Sequence, residues 1–549
     1  MNKNTQNFEF LKYGLFVHYV HNLSFFSDGR KPEDINETLE NFDVKGFAEQ
    51  IAEMKVQYLI ITSWHYNTVP LYPSEVNAKW RNLPIARRDL LGEIINELNE
   101  KDIKVILYTH PRDGHDFTEP DRTNTGWGKG HRENTALDSA NPDTFNYELW
   151  NSYVTELFEE LADRYAKKIY GFYTDGMGPQ DGRNPNMEKN FQIVNYLKLR
   201  DIMKSRNPKL IMIQNYFGYM FSNDYAMPEG YFGAEVEPLL TGALNLPAAQ
   251  KALAMSPFGE SWMPTVPLAE CKRVKVTYEG ALRFLLFNAS CTVGGGVCYS
   301  TGPYCEGNIW PKGHFEFYKT LGEKLEPYRE YALNSKPSIS YPTVSGQTLE
   351  DVCHRFFFTS KDESKEYMFL TKMQSLITLP ESQDGAKLFS PVSLTKGVKV
   401  ENFDGTTLSV AGDFEGVAAI ISFERENAES PKKTTLINNT DKRIRYSEEW
   451  EYNYLDPNPH TQYIKGAFEC DVHRAVQGGA TAFIAFEGSF LELYGKGEAE
   501  VFIDGIPVAK VNSDKISLLC RTQNLYGGMH TLYIKAEKEF CLDALKIEE

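Results

Sequence analysis

Two hydrophobic rhythms alternate along the first 335 residues. YGLFVHYV (13–20), QYLIITSW (57–64), KVILYTH (104–110), IYGFYTDG (169–176) and KLIMIQN (209–215) are short, almost continuously apolar runs rich in aromatic and β-branched residues. Strands buried on both faces read this way. Between them the apolar positions recur at helical spacing. Val44, Phe47, Ile51 and Met54 follow the capping residue Asp43, and Leu90, Leu91, Ile94, Ile95 and Leu98 follow Asp89. Within 146–166, Trp150, Tyr153, Val154, Leu157, Phe158, Leu161 and Tyr165 form one face. Such faces predict amphipathic helices. The rhythm continues through strand candidates at 231–238 and 258–264, a helix at 278–290, the strand GGGVCYS (294–300) and a helix at 314–331.

About eight β-units in this stretch predict a parallel α/β fold, a (β/α)8-like barrel over 1–335. An open doubly wound sheet would carry a phosphate-binding glycine fingerprint, whereas the GGG at 294–296 enters a strand and opens no helix. From about residue 340 the period changes to two. CHRFFFTS, EYMFLTK, VKVENF, LSVAG and VAAIISFE predict a small antiparallel β domain over 336–428. ENAESPKKTTLINNTDK is polar and carries a proline, so a linker is expected over 429–445, followed by a second antiparallel β block, sandwich-like, over 446–549. The overall expectation is a barrel followed by two small antiparallel β domains.

Composition narrows the function class. At 549 residues the chain exceeds a single core, and a net charge of −17 sets up a field that repels phosphate backbones and anionic lipid. Nucleic acid and membrane partners are therefore not expected. The start, MNKNTQNFEF, has no apolar signal core, so the chain as given reads as cytoplasmic, or as periplasmic or secreted if a leader has been removed. The eight cysteines include no CxxC pair. Cys291, Cys298 and Cys305 recur without a histidine at ligand spacing, so neither a disulfide framework nor a metal site is expected.

Candidate chemistry sits at the strand ends, which in barrels face the active site. Asp175 ends IYGFYTDG, and Gly176 after it lets the chain turn without crowding a pocket. An aspartate capping a following helix or bonding a turn carries comparable weight at such a position. His18 ends the first strand; Trp64, His65, Tyr66 and Asn67 follow the second; Tyr108 and His110 end the third, and Asn215 the fifth. Glu235 and Glu237 fall in the next segment, then Glu260 with Trp262. Aromatic faces with histidine, amide and carboxylate groups suit a sugar ring, whose C–H faces stack and whose hydroxyls hydrogen-bond. Two carboxylates are what glycosidic cleavage requires. Asp175 is the candidate nucleophile. Glu260, between Phe258 and Trp262, and Glu235 compete for the acid/base role, with Glu237 and Glu229 as outside candidates.

These segments resemble glycoside hydrolase family 29, the α-L-fucosidases. KYGLFVHYV resembles the family's KFGIFIHWG run, FDVKGFAEQIAEMKVQYLIITSWHYNTVPLYPS its helix, strand and TAKHHDGF-type turn, and RRDLLGEIINELNEKDIKVILYTH its RDLVGEL…GLKFGLYYS pattern. FYTDG stands where the family has its WFDG-type nucleophile strand, and GESWMPT resembles WETCMT. VGGGVCYSTGPYCEGNIWPKGHFEFYKTLGEKL is similar to the family's closing segment, and the agreement runs over about 1–425. The resemblance implies an exo-acting retaining hydrolase acting on a carbohydrate, a fucosylated oligosaccharide or related glycoside, and it implies no metal or organic cofactor. Asp175 would be its nucleophile and Glu260 its acid/base; His18 and His65 would bind sugar hydroxyls and Tyr108 would line the wall. Departures stand beside it. The histidine pair is His65-Tyr66, Asn67 replaces an aspartate, and IQNYFG lacks the arginine of NDRW, with Gln214 or Asn215 in its place. The alternatives are an α-L-galactosidase-type or other glycosidase of the same family fold, or a catalytically silent sugar-binding protein. The block 446–549 lies outside this agreement and is similar to sugar-binding modules appended to glycosidases.

Overall fold

The computed structural model describes residues 8, 10–65, 68–112, 114, 117–128, 144–175, 194–215, 225–227, 229–230, 252–254, 277–290, 295–338, 340–341, 354–382, 384–426, 434–454, 471–488, 490–522, 525 and 529–548. The chain divides into two compact units, the first running to Ala428 and the second holding Glu429–Glu549.

In the first unit nine parallel strands form one sheet: β1 (Tyr13–Val17), β2 (Tyr58–Thr62), β3 (Lys104–Thr109), β4 (Gly171–Thr174), β5 (Ile211–Gln214), β6 (Tyr225–Ala226), β7 (Glu229–Gly230), β8 (Ala252–Ala254) and β9 (Val297–Thr301). Their order, β6-β5-β4-β3-β2-β1-β9-β8-β7, is the parallel sheet of a (β/α)8-like barrel. Helices α1 (Ile35–Glu40), α2 (Val44–Glu53), α3 (Glu75–Arg81), α4 (Leu90–Glu100), α5 (Glu119–Thr125), α6 (Tyr147–Tyr165), α7 (Tyr196–Arg206), α8 (Tyr278–Ser290) and α9 (His314–Ala332) alternate with the strands. The expected caps are in place: Asp43 accepts from the Gly46 N–H and Asp89 from the Gly92 N–H. Each satisfies a backbone donor that the first helical turn leaves open, worth about 1 kcal/mol. The strand candidates at 231–238 and 258–264 lie outside the described residues.

Period-two geometry fills the barrel. Phe16, Tyr58, Ile60, Ile106, Tyr108, Tyr173, Ile211, Ile213 and Cys298 form one buried cluster. Gly14 makes room for it: a Cβ there would stand 2.3 Å from the Tyr58 ring, so the largest side chain of that layer faces the smallest. Lys12, fully buried, closes the other end by donating to the carbonyls of Ala332 and Ser335 at 2.7 Å, which satisfies the C-terminus of α9.

The following β domain has a five-stranded antiparallel sheet built from β10 (Lys336–Pro337), β11 (Arg355–Thr359), β12 (Lys365–Leu370), β14 (Lys387–Ser393) and β17 (Ala419–Glu426). A three-stranded sheet of β13 (Leu376–Thr378), β15 (Val398–Phe403) and β16 (Thr407–Gly412) completes it. The second unit is one eight-stranded antiparallel assembly: β18 (Thr434–Asn438), β19 (Arg445–Tyr446), β20 (Trp450–Tyr454), β21 (Asp471–Ala475), β22 (Thr481–Glu487), β23 (Phe490–Ile503), β24 (Ile506–Thr522) and β25 (Met529–Glu548). Part of the expected linker 429–445 is therefore strand. The run TTLIN alternates, and Ile437 enters the core of the second unit while β18 pairs with the end of β25.

The β domain buries an ionic cluster. Arg425 donates to Ser340 Oγ at 3.1 Å, to the Glu363 carbonyl at 3.1 Å and to Asp384, and lies 3.9 Å from Glu366, which is fully buried. Burial dominates at Glu366 and pushes its pKa up to about 8, although Ser338, Thr359 and Arg425 oppose the shift. Removing the cation would strand the Asp384 carboxylate, so Arg425→Met is expected to lose about 3–5 kcal/mol of stability in denaturant titration. A carboxyl raised from about 4.3 unfolded stabilises the fold fully below that pH and loses its contribution as pH rises through the folded value. Glu366→Gln cannot ionise. Its melting temperature should therefore gain on the wild type as pH rises from about 5 to about 8; a pH-independent difference in calorimetry would contradict this.

Candidate active site

The inward parity of each strand continues one step past its end, so core positions turn into site positions. Phe16 is followed by His18, Tyr173 by Asp175 and Ile213 by Asn215, while Tyr108 forms the last inward layer of β3 before His110. Apolar residues fill the barrel below, and polar residues of the same parity are left at the C-terminal mouth.

Asp175 is half-buried, and both its oxygens are held. Tyr108 Oη donates to Oδ2 at 2.6 Å and Asn215 Nδ2 donates to Oδ1 at 2.9 Å. Its backbone is fixed from both sides: its N–H donates to the Thr109 carbonyl at 2.9 Å, and its carbonyl accepts from Tyr196 Oη at 3.3 Å. Burial by itself would lift this carboxyl. The fields of His110 and His65, with the Tyr108 and Asn215 hydrogen bonds, outweigh it and hold Asp175 below the ordinary carboxylate value. The carboxylate is therefore ionised and oriented.

Aromatic rings surround the carboxylate. Tyr108 stacks on Tyr173 with centroids 5.7 Å apart, and His65 stacks on Tyr108 at 5.2 Å. His18 stacks on Phe16 at 4.0 Å and stands 6.0 Å from His65, which in turn is 5.2 Å from His110. Burial, then His65, push the pKa of His18 well below that of a free imidazole despite the pull of Asp175, so its ring is neutral. Ser300 Oγ lies 3.4 Å from His18 Nδ1 and bears on its tautomer.

Asp175, His18, His65, Tyr108 and Asn215 therefore come together. Trp64 is turned to a different task. Its indole meets Phe158 of α6 edge-on at 5.6 Å, and Nε1 donates to the His110 carbonyl at 3.3 Å, bracing two strand ends from the helix side. Tyr66, Glu235, Glu260 and Trp262 lie outside the described residues, as does Glu237; of Glu229 the backbone is described, in β7. Two contributors carried no sequence signal strong enough to single them out. Tyr196 opens α7 after a long interval, and Ser300 shares its parity with Cys298 inside the buried strand β9. No group of three His, Cys, Asp or Glu suited to a metal occurs among the described residues.

Comparison with known proteins places this geometry. The family model described as alpha-L-fucosidase matches residues 2–237, a span that includes Asp175. A putative alpha-L-fucosidase of Caenorhabditis elegans is 29% identical over 72 residues, 13% of this chain; the match spans only 15% of that relative's length. The crystal structure of an alpha-L-fucosidase GH29 from Bacteroides thetaiotaomicron superposes with a TM-score of 0.53 at 15% identity, over 78% of this chain and 96% of that one. That of Thermotoga maritima alpha-fucosidase in complex with fucose gives 0.51 at 15% identity, over 76% and 96%. Residues 2–237 of this chain thus match the alpha-L-fucosidase family model, and its first unit shares the barrel fold of those glycoside hydrolase structures.

Proposed function

We propose that the chain is an exo-acting, retaining α-L-fucosidase that releases a terminal sugar from a fucosylated oligosaccharide or related glycoside by double displacement. The observation that carries this reading is the doubly held, ionised Asp175 at the mouth of the barrel. In the first step an Asp175 oxygen forms a bond to the anomeric carbon as the bond to the aglycone oxygen breaks, and a protonated carboxylic acid supplies the proton the leaving oxygen takes. In the second, the same acid, now a carboxylate, removes a proton from water, whose oxygen displaces Asp175. Glu260 is our assignment for that acid/base, with Glu235 as its competitor.

His18, neutral and fixed, and His65 suit hydrogen bonds to sugar hydroxyls, since a neutral imidazole offers one donor and one acceptor. Tyr108 and Asn215 serve the carboxylate itself: they stabilise its charge and set its orientation, which restricts attack to a narrow range of approach.

Asp175→Ala is expected to lower kcat/KM on an aryl α-L-fucoside by more than about 10³-fold; activity within a few fold of wild type would remove the nucleophile assignment. Asn215→Ala loses a charge-assisted hydrogen bond of about 1.5–3 kcal/mol, so a roughly 10- to 100-fold fall in kcat/KM is expected. Because Asn215 and Tyr108 both lower the Asp175 pKa, the acidic limb of the pH profile should move upward in Asn215→Ala and in Tyr108→Phe, and stay below the ordinary carboxylate range in the wild type. Azide rescue of Glu260→Ala on an activated substrate supports that acid/base assignment; rescue of Glu235→Ala alone reverses it.

A further inference from the structure

The second unit carries an exposed row that the barrel's chemistry does not use. Cross-strand partners lie on one face of a sheet, and here the register sets Phe483 of β22 opposite Tyr533 of β25, Tyr533 opposite Phe502 of β23, and Phe502 opposite Pro507 of β24. Arg445 of β19 stands opposite Phe483 at the other end. Phe483 and Tyr533 remain 38% and 36% exposed, Phe502 is half-buried, and Arg445 and Pro507 are exposed. The Phe502 and Tyr533 rings meet at 64° with centroids 5.8 Å apart, so they present a stepped apolar surface to solvent.

Placing Phe, Tyr, Phe and Pro at successive rungs of a solvent face leaves apolar surface in water with no gain for the core, which on the opposite parity is filled by Ile484, Val501, Ile503, Leu532 and Ile534. The row is also closely bounded. On one side Lys535 pairs in register with Thr481 and Glu500, and Glu500 with Lys510, which is bonded to Glu537 at 2.8 Å. On the other side stand Ala485 and Thr531, the latter anchored to Asp504.

These boundaries select the occupant. Four strands at about 4.8 Å spacing make a strip roughly 15 Å long and one side chain wide, a small part of the roughly 800 Å² each partner of a stable protein pair buries. A protein partner, including a second copy of the chain, would also have to cover the Lys535–Glu500–Lys510 row and take paired charges out of water. A single sugar chain can lie along the strip and leave that row hydrated. Its C–H faces stack on the rings, while the Tyr533 hydroxyl and Arg445 guanidinium offer hydrogen bonds to its hydroxyls. We propose that Phe483, Tyr533, Phe502 and Pro507 form a binding strip for a neutral polysaccharide, with Arg445 at its end, separate from the residues of the barrel site.

Affinity electrophoresis of the full chain in gels holding xyloglucan, galactomannan, sulfated fucoidan or no polysaccharide tests this. Wild type should be retarded by at least one of the two neutral polymers. Phe483→Thr and Phe502→Thr keep strand propensity and should each weaken that retardation roughly tenfold, with aryl α-L-fucoside turnover and melting temperature unchanged. Tyr533→Thr is the substitute should either variant fail to fold. Lack of retardation by both neutral polymers, retardation by fucoidan alone, or unchanged retardation in the variants overturns the proposal. So does a wild-type dimer that sediments as a monomer in the variants. Turnover is read separately, so failure here leaves the Asp175 reading standing, and failure of Asp175→Ala to lose activity leaves the strip standing.

Discussion

A single carboxylate organises the barrel's mouth. Asp175 must stay ionised in a largely dehydrated place, where burial alone favours the neutral acid. The requirement propagates outward: Tyr108 must point its hydroxyl at one oxygen, so its ring must be held, and it is held between the Tyr173 and His65 rings. Asn215 must reach the other oxygen, which its place one step past β5 allows. The neighbouring His18 is kept neutral by burial and by His65, so the pull that holds the Asp175 pKa down comes from His110, His65 and the Tyr108 and Asn215 hydrogen bonds.

The departures from the family's motifs become intelligible on this basis. Where the NDRW pattern has an arginine in the fifth strand, an asparagine amide here bonds the nucleophile candidate directly. An amide gives direction without a full charge, so it orients the carboxylate without neutralising it. The same reasoning separates two tryptophan and tyrosine positions that look alike in sequence. Tyr108 continues the inward parity of its strand and reaches Asp175, whereas Trp64 lies between strand end and helix and braces Phe158 and the His110 carbonyl.

Buried polarity is handled differently in the β domain. There Arg425 gathers Asp384, Ser340 and a backbone carbonyl around itself, while Glu366 is driven toward its neutral form by the lack of water. In the barrel a carboxylate is kept charged because directed donors meet it; in the β domain one is discharged because its donors are insufficient against burial. The second unit also buries polar groups, Glu492 against Arg521 and His530 against Asp504 among them, while its apolar rings on the solvent face follow from strand register.

The sequence by itself determined the layout. Continuous apolar runs located β1 to β5 and β9, the capping aspartates Asp43 and Asp89 located α2 and α4, and the change from mixed to strict period two marked where the barrel ends. Asp175, His18, His65, Tyr108 and Asn215 were legible as polar residues at apolar strand ends. Short elements were not: β6, β7 and β8 have two or three residues each, too few to show a period, and α3 and α5 have seven. Their formation depends on neighbours already in place. Nor could sequence separate a residue that faces the carboxylate from one that props it, find Tyr196 or Ser300, or show β18 inside a polar segment. Those outcomes turn on which distant side chains meet, such as Tyr108 with Asp175 or Asn215 with Asp175, and only the folding of the strands into one sheet brings residues so far apart in the chain within hydrogen-bond reach.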